Sequence, residues 1–197
     1  VHVGPKGFQK VGHICFAYDD IVYSYGNYDS DSFHLNQTIG DGIFFTVPLE
    51  KYIPNMITAE NNSIFEYGIY TTSKQNALIE KEIEKIRQNG YRWYTKIEKE
   101  DGYDRFSEYE MDYPSRLHYR TGAKLYKVKS GKFHIYWALG DNCASFTDLV
   151  LGTLGADVLS IRGIISPGTY LDWLQKEYLK KNSPIVFRRI YKEWDSE

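Results

Sequence analysis

The sequence predicts an α+β fold in which an antiparallel sheet packs against a few amphipathic helices. Short runs rich in β-branched and aromatic residues recur between turn signals. Two of these runs face a neighbour across a two-residue turn, at Asp19-Asp20 and at Ser130-Gly131. Elsewhere, apolar residues return at helical spacing. A chain of 197 residues with ordinary apolar and charged fractions fits one domain with a sizeable core.

In chain order, Val11 to Tyr18 reads as a strand that opens with Gly12 and His13, and Ile21 to Tyr25 returns after the turn. Gly42 to Val47 is a short strand ended by Pro48. Tyr52 to Glu60 reads as irregular or weakly helical, interrupted by Pro54, and Ser63 to Thr71 as a further strand. Ser73 is placed to cap a helix in which Ile79, Ile83 and Ile86 share one face, ending at Asn89-Gly90. Tyr91 to Tyr119 is polar, aromatic and irregular, and reads as an insertion over about 91–122 that walls one side of a cleft. Ala123 to Val128 and Lys132 to Leu139 form a hairpin. Phe146, Leu149, Val150, Thr153 and Leu154 then mark a helix up to Gly155. A last helix is capped near Ser166-Pro167-Gly168, and Ile185 to Tyr191 closes the fold as a strand. No repeat or low-complexity linker divides the chain, so residues 1–197 are read as one domain.

Asp141-Asn142-Cys143-Ala144-Ser145-Phe146 carries the chemistry. It sets a thiol in the first turn of a helix, among unpaired N–H groups and the positive end of the macrodipole, which favour thiolate over thiol. The same N–H groups, at Asn142 and Cys143, can hold an oxyanion. A thiol so placed should alkylate rapidly at mildly acidic pH. His13, on a rigid strand, supplies a base. Taken alone, Cys143 or His13 reads as an ordinary buried residue; together they read as a nucleophile and its base. Cys15, mid-strand among Ile14, Phe16 and Ala17, reads as core, although alternation puts it on the His13 face.

Gly12-His13 on a strand, a two-residue turn, a second strand and a distant Asn142-Cys143 helix resemble the circularly permuted branch of the NlpC-type papain-like hydrolases, which includes the lecithin:retinol acyltransferase-like proteins. The likeness is confined to the two ends of the chain, and implies a permuted papain-like fold. It implies Cys143 as nucleophile, His13 as general base and, on the returning strand, Ser24 as the third, orienting residue, with Tyr23 and Tyr25 beside the substrate. Relatives of the acyltransferase type usually carry a second histidine where this chain has Ser24. The resemblance further implies a cysteine hydrolase of the amidase or endopeptidase kind that cleaves peptide bonds in bacterial peptidoglycan. As the toxin part of a secreted effector it would act in a target cell, in the periplasm if peptidoglycan-directed, and an immunity protein would be its partner. Lipid acyl hydrolysis or transfer, and modification of a host protein, are the alternatives within the same fold.

Outside enzymes, a tyrosine-rich binding module remains open: 18 tyrosines against 10 phenylalanines supply rings that pack while their hydroxyls bond. Lysine plus arginine number 24 against 26 acidic residues, a formal charge of −2 that argues against a nucleic-acid binder. No apolar run nears the length of a membrane span, no signal peptide is evident, and stable membrane insertion is not expected. No cofactor or metal site is expected: Asn27 to Ser32 resembles the start of a calcium loop but lacks its glycine and distal glutamate. His34, His118 and His134 show no ligand spacing, and His134, on the strand feeding the cysteine helix, is held as a reserve candidate.

Overall fold

The structure is a computed structural model, and it describes residues 1–3, 12–32, 38–100, 102–103, 107–108, 110–154 and 166–192. Val11, His34, Gly155 and parts of the 91–119 stretch therefore lie outside the described residues. The fold is α+β with antiparallel sheets. Among the described residues the main sheet has five strands: β2 (Phe16–Tyr18), β3 (Ile21–Gly26), β5 (Ile43–Pro48), β8 (Lys124–Val128) and β7 (Gly90–Trp93), in that spatial order. A second sheet sets β6 (Ser63–Ile69) between β1 (His2–Val3) and β10 (Ile185–Tyr191), and β4 (Ile39–Asp41) pairs with β9 (Ile135–Trp137) as a two-stranded ribbon. All the pairings are antiparallel.

The first hairpin forms as its sequence dictates. Asp19 and Asp20 both take positive φ, at 50° and 58°, which gives the tight turn whose twist matches that of the flanking strands. Phe16 then faces Tyr23, Ala17 faces Val22 and Tyr18 faces Ile21. Regular pairing begins at Phe16, so His13 and Ile14 precede the strand proper.

Alternation along the strands gives the main sheet two apolar faces. On one, Tyr23, Tyr25, Phe44 and Val128 pack with Ile79, Ile83 and Ile86 of α2 (Ser73–Gln88), with Phe146 and Val150 of α5 (Cys143–Leu151), and with Tyr170 and Leu174 of α6 (Pro167–Tyr178). On the other, Val22, Phe45, Val47 and Leu125 pack with Tyr52 of α1 (Leu49–Pro54), Met56 and Leu117. Phe146 is the hub of the first face. Its ring stacks on Tyr25 at 5.0 Å and on Phe44 at 6.2 Å, meets Phe133 edge-on at 5.4 Å and touches Phe16 at 6.2 Å.

Several local expectations need correction. The cap of α2 is Thr72, not Ser73: its side chain accepts from the Gln75 N–H while the Gln75 side chain accepts from the Thr72 N–H. Of the two readings of Tyr52 to Glu60 the helical one holds as far as Ala59, α1 running into a π-helical turn over Asn55–Ala59. The stretch after Gly90, read as irregular, begins with β7, which completes the main sheet against β8. It leads to α3 (Lys96–Lys99) and α4 (Tyr113–Thr121), and α4 buries Leu117. Lys132 to Leu139 does not pair back on 123–128. Phe133 adopts φ 69° and the His134 Nδ1 bonds the Val128 carbonyl at 2.8 Å, so the chain turns away and only Ile135–Trp137 is strand, against β4. None of the described helices is long and apolar enough to cross a membrane.

Replacing Phe146 by Ala leaves a void among four rings, and the expected loss is about 3–5 kcal/mol of unfolding free energy by urea denaturation. A loss below about 1 kcal/mol would show that α5 is not anchored through this ring.

Candidate active site

The thiol is placed by a cap. Asn142, buried and extended, accepts at its Oδ1 from the N–H groups of Ala144 (2.9 Å) and Ser145 (3.0 Å), and donates from Nδ2 to the Ala138 carbonyl (2.9 Å). Ser145 Oγ in turn accepts from the Asn142 N–H at 2.9 Å. This reciprocal box starts α5 at Cys143. It also occupies the Asn142 N–H and two first-turn donors, those of Ala144 and Ser145, so Asn142 serves as the cap.

Cys143 is only 3 % exposed and belongs to the first-face core. Burial pushes its thiol up to about 11, against the lowering effect of the backbone N–H groups of Ile14, Ala144 and Cys143 itself. The expected low-pKa thiol is therefore corrected: the N–H groups are present, and desolvation outweighs them. The Ile14 N–H is the second contact that matters. It brings the strand arriving from His13 onto the sulfur, so residues far apart in sequence meet there.

His13 Nε2 and Ser24 Oγ lie 2.7 Å apart. Ser24 is fully buried on β3, and its hydroxyl also lies 3.2 Å from Tyr28 Oη. The assignment of Ser24 as the residue touching the imidazole thus has a geometric counterpart. Burial holds His13 down to about 3, far below the ordinary imidazole value. With the thiol raised and the imidazole lowered, Cys143 and His13 are each neutral at pH 7.

Tyr23 and Tyr25 are core residues and offer no ring to a cleft. Tyr23 Oη accepts from the Arg87 guanidinium, and Tyr25 Oη donates to the Phe133 carbonyl at 2.9 Å. Cys15 is half-buried against the second-face core, its sulfur 3.9 Å from Tyr52 Oη, and both cysteines are free thiols. The carboxylates of the acidic loop are bound by lysines, Asp29 by Lys127 at 3.5 Å and Asp31 by Lys96 at 3.2 Å. His118 Nδ1 bonds the Ala123 carbonyl at 2.8 Å, and His134 serves the turn described above, away from the thiol's contacts. Among the described residues no group of histidine, cysteine and carboxylates could hold a metal ion.

Two contributors escape a reading of the sequence. The Ile14 N–H has no side-chain signature at all. Tyr28 carries only a faint one, a tyrosine four residues beyond Ser24 with Gly26 between. Comparison of the chain with protein-family profiles, curated proteins and solved structures gives no match.

Two measurements follow from the burial of the pair. His13 titrates near 6.5 when unfolded and at about 3 when folded, so the unfolded chain takes up the proton first as pH falls. Stability should decline from about pH 6.5 down to pH 3, and His13→Gln should flatten that part of the urea-midpoint profile. Alkylation of native Cys143 by iodoacetamide, mapped by mass spectrometry, should be slow at pH 7 and rise about tenfold per pH unit to near the thiol's value. Rapid modification at pH 6 would contradict the burial described.

Proposed function

We propose that the chain is a cysteine hydrolase of permuted papain-like fold, with Cys143 as nucleophile and His13 as base. One observation carries the reading: the sulfur at the start of α5 receives the N–H of Ile14, the residue that follows a histidine whose Nε2 is engaged by Ser24. A buried core cysteine has no need of a helix cap, a converging backbone donor and an oriented imidazole at once.

In the proposed cycle His13 Nδ1 takes the thiol proton as Sγ attacks the substrate carbonyl carbon, forming the C–S bond. The Cys143 N–H faces the developing oxyanion. As the C–N bond breaks, the imidazolium returns its proton to the leaving amine, giving a thioester. Water, deprotonated by His13, attacks the thioester and releases acid and thiol. Because burial keeps both groups neutral at rest, the proton moves as the sulfur attacks rather than beforehand.

The substrate follows from the resemblance: amide or peptide bonds of bacterial peptidoglycan, cleaved by the toxin part of a secreted effector. A second reading, hydrolysis or transfer of a lipid acyl group, is favoured by one feature. A largely apolar cavity of about 350 Å³ runs from Ile14, Cys15 and Phe16 along the buried side of α5 past Thr147, Val150 and Leu154. Its size falls within the range of ligand pockets. The Thr147 hydroxyl is buried there with no hydrogen-bond partner among the described residues.

Native protein and Cys143→Ala are compared on purified peptidoglycan and on phospholipid vesicles, with products read by mass spectrometry. New muropeptides released by native protein, and reduced at least about a thousandfold by the substitution, are expected. Lysophospholipid in their place would establish the acyl reading. Equal product from native protein and Cys143→Ala would overturn the thiol mechanism, and none from either protein would count against both substrates.

A further inference from the structure

Ser24 has one proton and two lone pairs to distribute. It can accept from His13 Nε2–H only if its own proton points elsewhere; otherwise it turns that proton onto Nε2 and forces the other tautomer. The second polar atom at its hydroxyl is Tyr28 Oη, at 3.2 Å. Two residues four apart on an extended strand would be separated by about 13 Å, so this contact requires the chain to fold back. Gly26 permits it. A Cβ at Gly26 would lie 2.8 Å from Tyr28 Cζ, so the ring lies flat over a position that tolerates no side chain. Phe45 and Tyr113 pack against the ring, at centroid distances of 5.4 and 5.8 Å.

We infer that Tyr28 is a positioning residue that accepts the Ser24 hydroxyl proton, so that Ser24 accepts from His13 Nε2–H and the Nδ1 lone pair is presented to the thiol. The inference rests on the reading of His13 as base to Cys143, and adds the group that sets the direction of the hydrogen-bond relay. The opposite direction, Tyr28 to Ser24 to Nε2, would put the proton on Nδ1 and leave that atom unable to take another. Tyr28 touches neither substrate nor nucleophile in this scheme; it acts through Ser24.

The test is the imidazole tautomer of His13 in ¹⁵N-labelled protein at pH 7, read from long-range ¹⁵N–¹H correlations. Native protein should show the Nε2–H form. Tyr28→Phe keeps the ring and removes the acceptor, and should raise the Nδ1–H form to a comparable population with the thermal midpoint nearly unchanged. On the substrate that native protein turns over, kcat should fall roughly tenfold with KM within about twofold. Ser24→Ala and the double variant should cost no more together than the larger single effect, because they interrupt one relay. A native Nδ1–H tautomer, or a tautomer unchanged by Tyr28→Phe whatever happens to activity, overturns the inference. Failure of the catalytic reading shows separately, as activity that survives Cys143→Ala, because the tautomer measurement needs no turnover.

Discussion

Phe146 lies between the ring of Tyr25 on one strand and the ring of Phe44 on the next, with Phe133 and Phe16 closing its edges. That contact fixes both the height and the rotation of α5 over the main sheet. Cys143 stands three residues before Phe146, less than one helical turn away, so fixing the ring also fixes the sulfur. The Asn142 cap then prevents the first turn from fraying and holds Cys143 as the first helical residue. Apolar packing and a local polar motif thus act on the same few residues, one setting where the helix lies and the other where it begins.

Packing has a chemical consequence. A helix pressed this firmly onto a sheet carries its N-terminus out of water, and desolvation acts on thiol and imidazole in opposite directions, raising one and lowering the other. Helix dipole and backbone N–H groups favour thiolate, yet they compete with the loss of hydration of a whole anion. Neutral partners are the result. On the proposed reading, proton transfer would accompany bond formation, and a hydroxyl such as that of Ser24 would stabilise an imidazolium less than a carboxylate does.

Much of the scaffold was legible in the sequence because it is locally encoded. Asp19-Asp20 named the turn, Ile79, Ile83 and Ile86 named the buried side of α2, Ser166 named the cap of α6, and β10 spans the expected Ile185–Tyr191. The failures were non-local. Gly90–Trp93 became a strand because β8 offered an edge, and Lys132–His134 was lost to the sheet because Phe133 and His134 turn toward other parts of the chain.

The same division holds for the candidate site. Sequence by itself determined which atoms could do chemistry: a thiol behind an Asn cap, an imidazole ahead of a hairpin and a hydroxyl on the returning strand, each set by residue type and short-range spacing. Only the tertiary structure decided that the Ile14 N–H meets the sulfur, that Tyr23 and Tyr25 are core, that Tyr28 folds over Gly26 to reach Ser24, and that both members of the pair are neutral. Those outcomes depend on which distant surfaces exclude water together. Burial is a property of the packed whole, and no residue carries it in its own name.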